Sequence, residues 1–262
     1  MSEKIIMEQV DVTRHEAAAV EMCKGEIPGA RPVHHTIPAG QTRTLEGNQG
    51  YYHILILIQG KAAFTTAGRT DVYDTRLTYV PAANETLTVT AESEVQMLEI
   101  QWDIFPEDAA MLAEYGTKFP VRVPYQDSIQ YVDRKKSPKT ISRMMIPQRV
   151  IPRFSLGSVE SYGYDLVKSH SHPMLDQFFF SFPENEMNVL IDGEPIPMQG
   201  NMILHIPLGA DHGVEVTEGH HMHYMWIDFM PDNDLALKRL DSSHIPTGTV
   251  RSFDEERKGT HA

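Results

Sequence analysis

Residues 168–182 read KSHSHPMLDQFFFSF, and this stretch decides the fold. His170 and His172 are two residues apart, so on an extended strand both imidazoles point to the same side. Five residues after His172 stands Gln177, which opens a phenylalanine-rich strand. The next informative stretch is residues 200–212, GNMILHIPLGADH. Its Pro207-Leu208-Gly209 turn ends one strand and presents His212 at the start of the next.

Outward from there the sequence reads mostly as strands. Residues 51–58 (YYHILILI) form a β-branched apolar run that stops at Gln59-Gly60. Residues 61–66, 77–80, 87–90 and 95–102 follow, with turn residues between them. A second set begins near Phe154 and includes 178–182, 187–191, 202–206 and 221–229. Short, closely spaced strands with Gly, Asn and Pro between them indicate an all-β sandwich or barrel. Helices are expected at 106–115, which starts on a proline and two acids and stops before Gly116, and at 232–240. Each follows the last strand of its set, so two copies of one architecture are expected. The first occupies residues 1–116, a linker 117–152, the second copy 153–241, and a polar tail 242–262.

Composition sets outer bounds. The chain has 262 residues, 41% of them hydrophobic and 23% charged, an ordinary globular balance. Its net charge of −13 opposes a nucleic-acid or anionic-membrane partner, which requires a basic face. The single cysteine, Cys23, excludes an intrachain disulfide. No apolar run approaches the roughly 20 residues of a membrane helix, and no signal segment is visible, so a cytoplasmic protein is expected. Exposed barrel edges lead us to expect a homo-oligomer. The basic run Arg134-Lys135-Lys136 reads as a solvated loop, and His34-His35 as loop residues. Arg143, Arg149 and Arg153 are candidates for pairing with an anionic substrate. Met174, Met187, Met198, Met202, Met222, Met225 and Met230 read as core filler.

His-x-His followed by Glu, then Gly, Pro-x-Gly and His, is the two-motif pattern of the cupin superfamily, and this chain resembles it with Gln177 in place of the Glu. The second half therefore resembles a cupin: a double-stranded β-helix, or jelly-roll, barrel. Two imidazoles from one strand, a third from a neighbouring strand and an oxygen ligand can surround one divalent ion, with positions left for substrate. On this resemblance the ligands are His170, His172, His212 and, where the family has Glu, Gln177. Asp176 stands beside Gln177, but adjacent strand residues face opposite ways and Gln177 leads into the apolar strand. Manganese, iron, nickel or zinc suits such a donor set. The first half repeats the pattern in degenerate form. Aligning Gly60 with the first motif's closing glycine puts His53 at the Glu position and Glu46 and Asn48 at the His-x-His positions. Thr86 then takes the last His position, so this barrel is expected to carry no metal.

Residues 170–185 (HSHPMLDQFFFSFPEN) and 223–233 (HYMWIDFMPDN) are also similar to the sugar-uronate isomerases of pectin and inositol catabolism. The resemblance spans residues 139–233 and implies a bicupin with one metal that interconverts an aldose and a ketose. A small carbonyl or uronate substrate is implied. A base must lie near the migrating proton; the catalytic candidates are His223, Tyr224 and Asp176, with Arg153 and His205 as substrate contacts. Alternation along the last strand puts His221, His223, Met225 and Ile227 on one face. Met222, Tyr224, Trp226 and Asp228 share the other. A metal-dependent hydrolase or dioxygenase of β-dicarbonyl compounds, and a non-catalytic binding barrel, are the alternative readings.

Overall fold

The computed structural model describes residues 5–247. The described residues divide into two compact units, 10–125 and 5–9 with 126–247.

The first unit contains β2 (Ala18–Glu21), β3 (Ala30–Ile37), β4 (Thr42–Leu45), β5 (Tyr51–Gln59), β6 (Ala62–Thr66), β7 (Arg69–Tyr73), β8 (Leu77–Val80), β9 (Leu87–Ala91), β10 (Val95–Asp103), helix α1 (Asp108–Tyr115) and β11 (Val121–Pro124). One sheet has the order β11-β8-β5-β10-β3-β2, the other β4-β9-β6-β7. The second unit begins with β1 (Met7–Gln9). It continues through β12 (Ile129–Val132), β13 (Ile141–Ile151), β14 (Phe154–Tyr162), β15 (Asp165–His170), β16 (Asp176–Ser181), β17 (Glu186–Ile191), β18 (Glu194–Gln199), β19 (Met202–Ile206), β20 (His212–Val216), β21 (His221–Phe229), α2 (Asn233–Ser243) and β22 (Ile245–Pro246). Its sheets run β1-β19-β16-β21-β14-β13-β12-β22 and β15-β20-β17-β18.

The two units share one topology. Numbered from β3 and from β14, eight strands in each give the orders 6-3-8-1 and 2-7-4-5, and a helix follows the eighth. This is the double-stranded β-helix, and the chain is all-β with two short α-helices among the described residues. The sequence pattern explains which strands lie where. β5, β10, β14 and β21 are buried along nearly their whole length; β5 does so with a continuous apolar run, whereas β14 places the small residues Ser155, Gly157 and Ser158 among its apolar ones. β6, β9 and β17 alternate buried and partly exposed residues, as strands with one face on the core do. Each barrel is filled by its own cluster. Leu55, Leu57, Phe64, Tyr79 and Met97 pack in the first; Phe179, Leu204, Val214, Tyr224 and Trp226 pack in the second. Met187, Met198 and Met222 belong to the second cluster, and Met174 and Met230 pack under α2.

Several expectations are corrected. The segment 117–152 is not an irregular linker. β11 pairs with β8, and β12 and β13 extend the large sheet of the second unit. Its prolines masked the strand pattern, since Pro124 ends β11 and Pro147 sits within the irregular part of β13. His34 and His35 lie in β3 and are buried, not in a loop. The tail from Ser242, expected to be at best partly ordered, carries the end of α2 and β22, which pairs with β12. Residues 248–262 of that tail lie outside the described residues. No helix of the described residues is long and apolar enough to cross a membrane.

Candidate metal centre

The three histidines converge by strand pairing. β15 pairs with β20, and a register shift between Val167 and His170 brings His170 directly opposite His212. Gly213 makes that approach feasible: a Cβ there would stand 2.7 Å from the Val167 carbonyl oxygen and 2.7 Å from Ser169 Oγ. His172 lies just past the strand, in a turn closed by the Leu175 amide donating to the His172 carbonyl at 3.2 Å. The Pro207–Ala210 turn closes by Ala210 N–H donating to Pro207 O at 3.0 Å, with Gly209 at φ 79°, and delivers His212 to β20. Ring centroids are 4.6 Å apart for His170–His172, 5.0 Å for His170–His212 and 5.5 Å for His172–His212. Each offers a nitrogen within 4.8 Å of the other two.

Protonation suits ligation. The Nδ1 of His170 donates to Lys168 O at 2.7 Å, and the Nδ1 of His212 to Ala210 O at 3.1 Å. A carbonyl only accepts, so each ring carries its proton on Nδ1 and keeps the Nε2 lone pair free. Burial lowers all three pKa values, to about 4 for His170 and about 2 for His172, where His170 and His212 add repulsion. The rings are therefore neutral donors at neutral pH.

Gln177 completes the set. It is the second residue of β16 and a cross-strand neighbour of Asp228 on β21. Its Nε2 donates to Asp228 Oδ1 at 2.6 Å, while its buried Oε1 has no hydrogen-bond partner. An orphaned buried carbonyl lining the same cavity as three free imidazole nitrogens is the donor set a divalent ion requires. Asp228 places a carboxyl group directly behind the Gln177 amide. Burial pushes its pKa up to about 7, against the bond from Gln177 and the nearby Lys136.

The rest of the cavity wall is polar and aromatic. Tyr224 and Trp226 face inward from β21. Lys136 Nζ donates to Tyr131 Oη at 2.7 Å and Ser142 Oγ at 3.2 Å. Trp226 Nε1 also donates to Tyr131 Oη, at 3.0 Å. Burial takes Lys136 down to about 8. His244, just past α2, packs on Tyr131 and Trp226 at 4.7 and 5.2 Å and lines the same cavity. Beside the cavity runs a groove of about 620 Å³, also bordered by Lys136 and including Arg134 and Lys135.

The sequence-derived residues separate cleanly. His170, His172, Gln177, His212 and Tyr224 share the cavity. Asp176 faces the opposite way from Gln177, on the side of His205. His205 packs its ring against Phe178 at 5.8 Å, while its neighbours Leu204 and Ile206 fill the barrel. His223 lies on the outer face of β21, paired with Glu160 of β14. Arg153 sits in the β13–β14 hairpin at φ 57° and is buried there. Arg143 donates to Ser128 O, and Arg149 forms a two-pronged pair with Asp241 at 2.8 Å. Strand alternation explains the placement of Asp176, His205 and His223, since each follows or precedes an inward residue by one. Lys136, Tyr131, Asp228 and His244 escaped the sequence reading. Lys136 belongs to a basic run that reads as a solvated loop, and His244 to the segment that reads as tail. Asp228 carried a signal: it shares the period-2 face of Tyr224 and Trp226.

No protein-family model matches the chain, and no curated protein matches its sequence. Among solved structures the chain is similar to an IolB-like protein from Salmonella typhimurium, with 13% identity and a TM-score of 0.63 over 86% of this chain and 93% of that one. It is similar to the oxalate decarboxylase of Lactobacillus farciminis in its formate complex, with 13% identity and a TM-score of 0.63 over 88% of each chain. A cupin 2 conserved barrel domain protein from Leptotrichia buccalis matches with 14% identity and a TM-score of 0.57 over 84% and 92%. Identities this low carry the fold, and that fold is the cupin fold.

Proposed function

We propose that the C-terminal barrel holds one divalent metal ion on His170, His172, His212 and Gln177, and that the protein is a metal-dependent enzyme interconverting an aldose and a ketose, of uronate type. The observation that carries this reading is the pairing of a neutral His₃–amide donor set with an amine and two phenols in one cavity. When bound, the metal supplies Lewis acidity to the two oxygens of an α-hydroxycarbonyl. The chain's own residues do the rest. Lys136 offers a positive donor to a substrate carboxylate, and the Arg134–Lys135 groove extends that positive edge. Its lowered pKa, about 8, lets the same amine give or take a proton near neutral pH. Tyr224, facing the cavity, can donate a hydrogen bond to a developing oxyanion. Asp228 fixes the Gln177 amide so that its oxygen stays turned to the cavity.

Asp228 also bears on the alternatives. A hydrolase or dioxygenase gains from a ligand set lacking a carboxylate, but here a carboxyl group that is partly ionised near neutral pH stands one side chain behind Gln177. The reading is tested by incubating manganese- or zinc-loaded protein with a panel of aldoses and uronates in D₂O without oxygen. Proton NMR should show aldose–ketose conversion with deuterium entering at the carbon beside the carbonyl, abolished in His212→Ala. Oxygen uptake with a diketone, or hydrolysis without isomerisation, overturns the reading.

A further inference from the structure

A second group of metal-ligand side chains lies on the outer face of the sheet whose inner face lines the cavity. We propose that Glu160, His221, His223 and Glu184 form a second divalent-metal site, separate from the one in the barrel and independent of its chemistry. Glu160, His221 and His223 each offer a ligand atom within 4.8 Å of the others. The His221 Nε2–Glu160 Oε1 distance is 3.0 Å and the His223 Nδ1–Glu160 Oε1 distance 3.9 Å. The fourth donor, Glu184 Oε1, is 2.7 Å from His223 Nδ1. Ligand atoms around a four-coordinate ion bound at about 2.1 Å stand roughly 3.4 Å apart, so these separations bracket the required edges.

The backbone builds this group as it builds the first. His221 and His223 are two apart on β21, so their side chains share a face, and Glu160 on β14 is directly opposite His223. The barrel site uses the same device, with His170 opposite His212. The turn that carries Glu184 is pinned to β21 on both sides. Phe182 N–H donates to His223 O at 3.0 Å, and Asn185 Oδ1 accepts from His223 N–H at 2.8 Å. The Asn185 amide is held in turn by Met198 O at 2.7 Å, and the Phe182 ring packs on His223 at 4.3 Å. Gly200 allows that packing, since a Cβ there would stand 2.1 Å from Pro183 O.

Burial is graded across the group. The His223 and Glu160 side chains are 0% and 3% exposed, whereas those of His221 and Glu184 are 16% and 24% exposed. The inner pair is therefore fixed by packing, and the outer pair leaves an entry path for an ion. Two carboxylates and two imidazoles select a borderline divalent ion such as zinc or cobalt over calcium, which prefers an all-oxygen shell.

The test is stoichiometric and needs no substrate. Tag-free full-length protein stripped of metal is titrated with Co²⁺, read by its visible absorption, and with Zn²⁺, read by mass spectrometry of the desalted protein. Wild type should take up two equivalents and His170→Ala/His212→Ala one. Adding His221→Ala to that double variant should remove the last equivalent or weaken it at least tenfold. Glu184→Gln, on the partly exposed turn, repeats the test should His221→Ala fail to fold, as judged by circular dichroism. One equivalent in wild type and none in His170→Ala/His212→Ala overturns the second site, as does an equivalent that survives both outer-site variants. One equivalent retained in His170→Ala/His212→Ala but lost with the outer-site change upholds it, even if the barrel site proves empty.

Discussion

The two barrels run their strands in the same order but treat buried histidine differently. In the first, Glu99 accepts from His35 at 2.6 Å and from His53 at 2.5 Å inside the barrel, with Gln101 Nε2 also donating to it at 3.2 Å. Burial alone would raise the Glu99 pKa, but the two histidine bonds outweigh it and hold the carboxyl at about 2. The degenerate motif positions also bond to one another. The His53 ring nitrogen Nε2 lies 3.1 Å from Glu46 O and 3.3 Å from Asn48 Nδ2, and Thr86 Oγ1 donates to Glu46 at 3.1 Å. In the second barrel, three imidazoles face one another and the Gln177 carbonyl is left without a partner. The comparison teaches that one topology supports either a self-neutralised polar core or a set of free donors. What decides is whether the carboxyl group sits between the histidines, as Glu99 does, or one strand behind the Gln177 amide, as Asp228 does. His53 pairs across the sheet with Gln101 just as Gln177 pairs with Asp228, so the positions correspond and only the side chains differ.

The largest effect should come from emptying the donor set. His170→Ala/His212→Ala should remove the barrel metal entirely and lower turnover at least 10³-fold, measured by metal analysis beside the isomerisation assay. Retained turnover would break the contrast between the barrels. In the first barrel the corresponding blow falls on stability. Glu99→Gln removes a buried charge between two histidines and should cost about 3–5 kcal/mol in urea unfolding, with metal content unchanged. The same group sets a pH dependence. Its folded pKa, about 2, lies below the unfolded value near 4.5, so its contribution is complete above about pH 4.5. It is lost as pH falls towards 2, and a Glu99→Gln variant should lack that acid-labile part in melting curves.

Smaller changes sharpen the contrast. Asp228→Asn leaves Gln177 in place but removes the carboxylate that orients it, and should weaken metal affinity about 10–100-fold by competition with a chelator. Lys136→Met should leave metal content intact, lower kcat through loss of its proton-transfer role, and raise KM for an acidic substrate roughly tenfold, with a smaller KM change for a neutral one. Equal KM changes for both would remove Lys136 from anion recognition.

Much of this was legible in the sequence. The all-β sandwich or barrel class and the two-copy architecture followed from turn-bounded apolar runs and a helix after each set, and the cupin expectation from the resemblance of the two histidine motifs; the strand order itself comes from the structure. The His170-x-His172 and Pro-x-Gly-x-x-His212 spacings located three donors that the fold does bring together. The choice of Gln177 over Asp176 rested on strand alternation, and Gln177 is the one in the cavity. Legibility ended where a face had to be chosen without a register. Tyr224 and His223 are adjacent, and pairing to β14 and β16 is what turns Tyr224 inward and His223 outward. It also ended at long range: Lys136 reaches the cavity because β12 and β13 extend the sheet, a pairing that no local pattern in 117–152 announced. His244 is brought there by the β12–β22 pairing, and the Glu160–His221 contact spans 61 residues.

The most direct test of the barrel site is an anomalous-difference map from crystals of the full chain loaded with Mn²⁺ or Zn²⁺. The account predicts a peak inside the C-terminal barrel about 2.0–2.2 Å from Nε2 of His170, His172 and His212, with Gln177 Oε1 as the fourth protein ligand. Ordered histidines around a cavity that shows no peak at saturating metal, or a peak within the first barrel at His35, His53 and Glu99, would contradict it.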